Sequence, residues 1–211
     1  MFPRNQGLAG RLNAKENATH LIKGAKDTEE DINIETRKAV HFLKCENCTY
    51  TVKGTLIKLT IEECKNVVIK IEDKILTGTV DLFKSDNVSF SSDRAISLLS
   101  LENTKSVKLR FQNPEHFSSM VWSGDDDLQL HLGDDLHSFS YSELQLTNPN
   151  LNPAINQFKT TLVNGDVRTE AVIRIEGGGF PMTRAEENDH IEAERNKDEA
   201  LRGSQQPEGD A

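Results

Sequence analysis

The sequence predicts an all-β protein folded as a β-helix, a solenoid of coils of about twenty residues, followed by one β-hairpin. Two observations predict the solenoid. Apolar and polar residues alternate in short runs from about residue 32 to 175, and these runs recur at a period near twenty. A third observation, the dipeptide Asn164-Gly165 between two alternating runs, predicts the hairpin.

The alternating runs carry β-branched and aromatic residues at every second position, as strands buried on one face do. Lysine, arginine and threonine fill the opposite phase, and no helical stripe of ten residues interrupts the region. Runs of this kind are Val40/Phe42, Ile57/Leu59/Ile61, Val67/Ile69/Ile71, Val107/Leu109/Phe111 and Leu128/Leu130/Leu132. The region is therefore predicted to contain strands only.

A polar turn with a small residue at its second position precedes a strand in each repeat. The turns are Lys44-Cys45-Glu46-Asn47, Glu63-Cys64-Lys65-Asn66, Lys84-Ser85-Asp86-Asn87 and Glu102-Asn103-Thr104-Lys105, with second positions 19, 21 and 18 residues apart. This spacing predicts a β-helix over residues 32–135 in which Cys45, Cys64 and Ser85 stack. A β-sandwich of unrelated hairpins is the alternative, although hairpin signals such as Asn-Gly are missing from residues 40–112.

The hairpin is predicted over residues 157–175, after a loop-rich stretch at 112–156. That stretch contains three prolines and the acidic runs Asp125–Asp127 and Asp134–Asp135. Charge runs are typical of solvated loops, so the acidic runs are expected to lie in solvated loops and not to form a binding patch.

Both ends of the chain are expected to lie outside the solenoid. Residues 1–31 are predicted to be flexible, with one short amphipathic helix in which Leu8 and Leu12 are spaced i, i+4 and which forms on a partner. Residues 178–211 are predicted to be an acidic disordered tail or a lone solvated helix, because Thr183–Ala211 carries nine acids and four bases.

Composition excludes several classes of function. The chain has 211 residues and a net charge of −9, which argues against general nucleic-acid binding, and it has no apolar run long enough for a membrane span. No leader segment is evident, so a cytoplasmic location is expected.

The three cysteines include the pair Cys45 and Cys48; buried reduced thiols are favoured over a metal or redox site. No catalytic motif is found, and no catalytic, cofactor or metal residue is predicted.

Val40–Lys74 resembles the C-terminal domain of the cyclase-associated proteins (CAP), the C-CAP/cofactor C-like domain with its CARP motif. In that family a KC-x-N-x-T-x-x-(I/V)-KG-K-(I/L) run is followed by (I/L)-T-(I/V)-x-x-C-K. The matching residues are Lys44, Cys45, Asn47, Thr49, Lys53, Gly54, Thr60, Cys64 and Lys65. The resemblance resumes at Gln157–Thr160, Asn164-Gly165, Thr169 and Ile175–Gly177, so it spans roughly residues 32–177. Residues 112–156 are longer and more acidic than the family pattern.

The resemblance implies a right-handed parallel β-helix that forms a homodimer by exchanging its C-terminal hairpin. The hairpin residues concerned are Phe158, Lys159, Thr160, Asn164, Gly165 and Ile175. It also implies binding to actin monomers and promotion of the exchange of ADP for ATP on actin, a role at the cytoskeleton. Residues 7–27 resemble the WASP-homology actin-monomer motif, with Leu8, Leu12, Ile22 and Lys23 as its contacts.

The residues themselves suggest where an acidic partner such as actin would bind. Lys53, Lys58, Lys65 and Lys70 are expected to point away from the core and to form a row across the coils, although a solvated strand face is the plainer interpretation.

Two other functions stay open. A relative of tubulin cofactor C would activate a GTPase with an arginine in a Gln-x-Arg context, which neither Arg94 nor Arg110 has. A scaffold that has lost actin binding is the other.

Overall fold

The structure is a computed structural model that describes residues 18–173 and 182–203, and of residues 198–203 the backbone alone. The strands are β1 (Thr19–Lys23), β2 (Glu29–Asn33), β3 (Ala39–Leu43), β4 (Glu46–Lys53), β5 (Leu59–Glu62), β6 (Lys65–Ile71), β7 (Thr79–Phe83), β8 (Asp86–Ser92), β9 (Leu98–Glu102), β10 (Lys105–Phe111), β11 (Ser119–Ser123), β12 (Asp126–Leu132), β13 (Asp135–Phe139), β14 (Phe158–Val163), β15 (Asp166–Ile173) and β16 (Met182–Thr183). The α-helices are α1 (Tyr141–Thr147) and α2 (Arg184–Gly203), and a 3-10 turn spans Pro114–His116.

The strands form two sheets between which the chain alternates. Sheet A has the order β1-β3-β5-β7-β9-β11-β14-β15-β16, and sheet B has the order β13-β12-β10-β8-β6-β4-β2. From β1 to β12, each strand pairs in parallel with the strand two places along the chain. One odd and one even strand thus make a coil, and about six coils are stacked. The predicted parallel β-helix is confirmed, and a sandwich of antiparallel hairpins is excluded.

One turn of each coil contains a corner residue that stacks on the corner of the next coil. The corner column consists of Ala25, Cys45, Cys64, Ser85, Thr104 and Asp125. The amide that follows each corner donates to the carbonyl of the corner one coil earlier, at 2.9–3.0 Å. The predicted stacking of Cys45, Cys64 and Ser85 is confirmed. The fourth repeat was placed one residue too early, since Thr104 and not Asn103 occupies the corner.

Two residues in each of these turns have left-handed backbone conformations. In the second coil they are Lys44, with φ of 58°, and Asn47, with φ of 55°. Asparagine tolerates this conformation better than most residues, which explains its recurrence at the last turn position. The Asn66 amide donates to Asn47 at 2.8 Å and the Asn87 amide donates to Asn66 at 3.0 Å, so the turns are also linked by a side-chain ladder.

The core lies between the two sheets and follows the predicted alternation. In β6, for example, Val67, Ile69 and Ile71 are buried, whereas Val68 is exposed. All three cysteines are buried and free, as predicted. Burial raises the pKa of the Cys64 thiol to about 12, which keeps it protonated and unreactive.

The solenoid begins at β1 and not at residue 32, so the predicted flexible segment 1–31 is wrong for the part that the structure describes. β1 pairs with β3, and β2 pairs with β4. The register aligns His20 with Val40 and Glu30 with Tyr50, two buried core residues. His20 and Glu30 face the open end of the solenoid, where a charged or polar side chain stays solvated. The first coil therefore lacks the regular alternation of apolar and polar residues from which the other coils were predicted.

The C-terminal end is closed by three elements that run against the coils. β13 pairs antiparallel with β12, while the hairpin of β14 and β15 pairs antiparallel with β11. Asn164 and Gly165 form the hairpin turn with φ of 54° and 87°, which confirms the predicted hairpin. Residues 112–156 are less loop-rich than expected, because they contain the sixth coil, β13 and α1.

Part of the predicted disordered tail is helical. Residues 184–203 form α2, and a capping box fixes its start. The Glu186 amide donates to Thr183 Oγ1 at 3.3 Å, and the Thr183 amide donates to Glu186 Oε2 at 3.0 Å. Glu186 also pairs with Lys159 on β14, so the helix is attached to the hairpin. Of the two predictions for the acidic tail, disorder and a lone solvated helix, the solvated helix describes residues 184–203 better.

Candidate functional site

The four lysines expected to form a row lie on different parts of the surface. Lys58 precedes β5 of sheet A, whereas Lys53, Lys65 and Lys70 belong to sheet B. In the register, Lys70 lies opposite Thr51 and Ser91, and Lys65 lies opposite Glu46 and Asp86. No two of the four are opposite each other in the register that the structure shows. The predicted row is therefore wrong, because the chain changes sheet between Lys53 and Lys58.

Three of these lysines are already paired with acids of neighbouring coils. Lys53 Nζ lies 2.6 Å from Asp31 Oδ2, and Lys58 pairs with Asp81. Lys70 Nζ lies 3.1 Å from Glu72 Oε1 and 3.3 Å from Asp93 Oδ2. The hydrogen bond and charge of Lys53 lower the pKa of Asp31, and Glu72, followed by Asp93, raises the pKa of Lys70. These cations offer a partner less charge than the sequence suggested.

Lys65 belongs to a ladder of alternating charge along the corner turns. The ladder runs Lys26, Glu46, Lys65, Asp86, Lys105 and Asp126, each aligned with the next in the strand register. Its first pair is an ion pair, with Lys26 Nζ 2.8 Å from Glu46 Oε2. Alternation places each cation between acids, so this edge of the solenoid is close to neutral.

A second set of basic side chains, which shares Lys70 with the first, lies at the centre of the outer side of sheet B. Two adjacent columns cross β6, β8, β10 and β12 there, and we call their eight side chains the basic face. One column contains Val68, Ser89, Lys108 and Gln129, and the other contains Lys70, Ser91, Arg110 and His131. Neighbouring strands are about 4.8 Å apart, so Lys70 and Arg110, two strands apart, are separated by about 10 Å.

The basic face suits a flat, acidic partner. It contains no aspartate or glutamate, and within the described part of the chain Lys108 and Arg110 form no ion pair. Ser89 and Ser91 have short side chains, so nothing large protrudes from the centre of the face. Val68 is 45% exposed and adds an apolar contact. Lys108 and Arg110, unlike Lys70 of the same face, can meet a partner's carboxylates without first breaking an internal ion pair.

The N-terminal contacts are only partly within the described residues. Leu8 and Leu12 lie outside them. Ile22 and Lys23 are in β1, where Ile22 is half-buried and packs against the core, whereas Lys23 is exposed. Part of the Ile22 side chain covers the second coil and part stays accessible, so its contact with a partner stays a prediction. The sequence missed the packing of Ile22 because the first coil was not recognised.

The predicted hairpin residues make the contacts that hold the hairpin on its own chain. Trp122 Nε1 donates to Thr160 Oγ1 at 3.0 Å, and the Trp122 and Phe158 rings are 5.2 Å apart. Lys159 pairs with Glu186, and Asn164 and Gly165 form the turn. Ile175 lies outside the described residues. Exchange of the hairpin between two chains stays a prediction.

The acidic run at 125–127 contains a residue whose position the sequence did not indicate. Asp125 was expected in a solvated loop, but its side chain is fully buried at the corner of the sixth coil. Its Oδ1 accepts from the Thr104 amide at 2.8 Å and the Thr104 hydroxyl at 2.6 Å, and its Oδ2 accepts from the Ser123 amide at 2.7 Å. Burial outweighs these hydrogen bonds and raises the pKa of Asp125 to about 6.

In the described residues, no three His, Cys, Asp or Glu side chains come together as a metal ion would require. Nor is any helix in those residues long and apolar enough to cross a lipid bilayer. The two sheets of stacked parallel strands place the protein in the class of β-solenoid domains.

Comparison with known proteins identifies the family. The family model "Adenylate cyclase associated (CAP) C terminal" matches residues 11–173, and the chain belongs to this family. The crystal structure of a cyclase-associated protein from Cryptosporidium parvum is similar, with 12% identity, a TM-score of 0.49, and coverage of 74% of this chain and 91% of that chain. A comparison with the curated proteins finds no match. Membership of the family supports a cyclase-associated, actin-related role.

Proposed function

We propose that this protein binds actin monomers and promotes the exchange of nucleotide on actin, without catalysing a reaction itself. Membership of the CAP C-terminal family supports an actin-related role. Within the described structure, the observation that favours binding to an acidic surface is the basic face, where Lys108 and Arg110 are free of internal ion pairs. This activity would place the protein in the cytoplasm at the actin cytoskeleton.

Exchange on a partner requires selective binding and no catalytic group. A protein that binds an open state of actin more tightly than the closed state raises the population from which nucleotide escapes. A stack of parallel strands suits this task, because its residues are held in register and change shape little on binding. The cost of ordering the surface is therefore small, and more of the contact energy is available to distinguish the two states.

The basic face can be tested by reversing its two unpaired charges. The Lys108→Glu/Arg110→Glu double variant should bind monomeric actin about tenfold more weakly or worse, since two attractive contacts become repulsive. Binding would be measured by fluorescence titration of labelled monomers. Lys53→Ala should have a smaller effect, because Lys53 is already neutralised by Asp31 at 2.6 Å.

A matched control separates the face from the net charge of the chain. Lys74→Glu/Lys84→Glu makes the same change in charge at two exposed lysines outside the basic face. It should bind actin with nearly the affinity of the wild type. Equal weakening by both double variants would show that net charge and not the face controls binding, and no binding by the wild type would refute the proposed function.

A further inference from the structure

The two ends of the solenoid differ in how their strands are paired. At the C-terminal end, β13 and the hairpin run along the last coil. At the N-terminal end, β1 is the first strand of sheet A and β2 is the last strand of sheet B, and each has one neighbour in the described structure. Each therefore has a free edge, where backbone N–H and C=O groups can bind a further strand.

The hydrogen bonds of β2 identify which of its backbone groups are free. The Ile34 amide, directly after β2, donates to the Lys53 carbonyl on β4 at 2.8 Å. In a parallel strand the N–H and C=O of one residue point to the same side, and the side alternates along the chain. The residues at even positions therefore face β4, whereas the backbone groups of Glu29, Asp31 and Asn33 face the free edge.

The side chains along this edge are acidic. Glu29 and Asp31 lie on the outer side of sheet B, and Glu30 lies on the inner side, aligned with Tyr50. Asp31 is paired with Lys53, whereas Glu29 and Glu30 are exposed and form no ion pair within the described residues. Like charges directly opposite destabilise strand pairing, so this edge disfavours a second copy of itself and favours a strand with basic side chains.

The asparagine ladder of the corner turns ends beside the same edge. The Asn87, Asn66 and Asn47 amides each donate to the residue one coil nearer the N-terminus, and the last acceptor is Asp27 Oδ1, 2.9 Å from the Asn47 amide. A carboxylate has further lone pairs, which a lysine, arginine or asparagine of an added strand could use. Asp27 therefore adds a second reason for a strand that carries donors.

A cavity lies at the point where β2 ends. Its volume is about 160 Å³, and its lining includes Asn33, the last residue of β2, with Glu35, Thr36 and Lys38. Strand addition usually combines main-chain hydrogen bonds, which give affinity, with pockets for side chains, which give specificity. The cavity is placed to take one polar side chain of a strand that follows the edge.

We propose that the free edge of β2 is a docking site for an extended segment of another protein, in which basic and aliphatic side chains alternate and which joins sheet B as a further strand. Its main chain would bind the backbone groups of Glu29, Asp31 and Asn33. Its basic side chains would lie on the outer side, opposite Glu29 and Asp31, and its aliphatic side chains would extend the core beyond Ile32. The basic face lies on β6, β8, β10 and β12, so the two sites can be occupied independently.

The probe is a fluorescent peptide of eight residues in which lysine and valine alternate, and its binding to the full chain is measured by fluorescence polarisation. The wild type should bind it, and a peptide with glutamate in place of lysine should bind at least tenfold more weakly. Glu29→Pro should weaken binding of the lysine peptide at least tenfold, because the ring removes an outward N–H and blocks the edge. Proline is tolerated at such a position of an edge strand.

Two further variants separate the backbone from the charge and from the other free edge. Glu29→Ala removes the same carboxylate but keeps the N–H, so it should weaken binding by about two- to threefold. Leu21→Pro blocks the edge of β1 and should bind the peptide as the wild type does. Leu21 faces that edge because the Gly24 amide, three residues later, donates to the Leu43 carbonyl on β3 at 2.8 Å.

Hydrogen exchange gives a measurement that needs no variant. The outward amides of Glu29, Asp31 and Asn33 should exchange more slowly with solvent when the lysine peptide is bound, because they become hydrogen-bonded. The Lys108→Glu/Arg110→Glu variant should bind the peptide no more weakly than the wild type. Loss of actin binding and loss of peptide binding are therefore separate outcomes.

Four results would overturn the proposal. One is no binding of the lysine peptide by the wild type, which would leave the edge to another segment of the same chain. Another is equal weakening by Glu29→Pro and Glu29→Ala, with circular dichroism showing both folded, since charge alone would then explain binding. The third is unchanged exchange of the three amides. The fourth is self-association of the wild type that Glu29→Pro abolishes, which would assign the edge to a second copy.

Discussion

At the scale of single residues, Asp125 shows how the position of a side chain in the coil changes its chemistry. The other corner residues are small and uncharged, whereas Asp125 places a carboxylate at the same buried position. It has three hydrogen-bond donors around it, at 2.6–2.8 Å. Glu102 on β9 adds an unfavourable negative charge, while Lys105 and Asp126 occupy the adjacent positions of β10 and β12. The result is a carboxyl group that titrates near neutral pH.

Asp125 should make the stability of the protein depend on pH. Its pKa is raised from 3.8 to about 6 in the folded state. Its contribution to stability is therefore fully present below about pH 4 and is lost as the pH rises through about 6. Between pH 5 and pH 7.5 we expect this group to lower the free energy of unfolding by about 1–2 kcal/mol.

The measurement is urea unfolding of the wild type and of Asp125→Asn at both pH values. The variant should be less stable overall, because its amide cannot accept the hydrogen bond from the Ser123 amide, but it should lack this pH-dependent component. The other ionisable groups are shared and cancel in the comparison. Identical pH dependence of the two proteins would mean that Asp125 keeps an ordinary pKa.

At the scale of secondary-structure elements, α2 is fixed by its first turn. Thr183 and Glu186 form the reciprocal hydrogen bonds of a capping box, and Glu186 also pairs with Lys159 on the hairpin. The outer part of the helix is solvated, and Ile191 is 57% exposed. The stability of α2 therefore depends on its cap much more than on packing.

Replacement of Thr183 should unwind the helix without affecting the solenoid. Thr183→Ala removes the oxygen that caps the Glu186 amide and should cost the helix about 1 kcal/mol, visible as a loss of helical signal in far-UV circular dichroism. Thr161→Ala, on β14, removes the same atoms away from any helix and serves as the control. The interpretation fails if the two variants have equal helical signal.

The sequence indicates features that depend on local pattern better than those that depend on register. Cys45, Cys64 and Ser85 could be aligned because each is a small residue in a polar turn, and Asn164-Gly165 marks the hairpin directly. The ion pair of Lys53 with Asp31 could not be found, since it requires the alignment of β2 with β4. The burial of Asp125 could not be predicted, because the backbone amides that donate hydrogen bonds to it can belong to any residue type and so are not indicated by the sequence.

Some misplaced elements did have a recognisable signal. The sequence Thr183-Arg184-Ala185-Glu186 matches the capping box, which predicts a helix start where disorder was expected. The first coil is harder to predict, because His20 and Glu30 occupy inward positions at its open end. An end coil covers a core on one side only, so its pattern of burial is weaker than that of the coils inside the stack.

At the scale of the whole molecule, the solenoid separates three surfaces with different properties. The corner turns and sheet A are largely neutralised by ion pairs between coils, such as Lys26 with Glu46 and Lys58 with Asp81. The centre of sheet B presents Lys108 and Arg110, which form no ion pair in the described residues, and residues 144–158 at the C-terminal end include no charged side chain.

The proposed acceleration of nucleotide exchange on actin is tested most directly by the rate at which a fluorescent adenine nucleotide leaves monomeric actin. Wild-type protein should increase that rate in proportion to the fraction of actin bound. The Lys108→Glu/Arg110→Glu variant should require about tenfold more protein for the same increase. An unchanged release rate at saturating wild-type protein, together with no binding to monomers, would contradict the account.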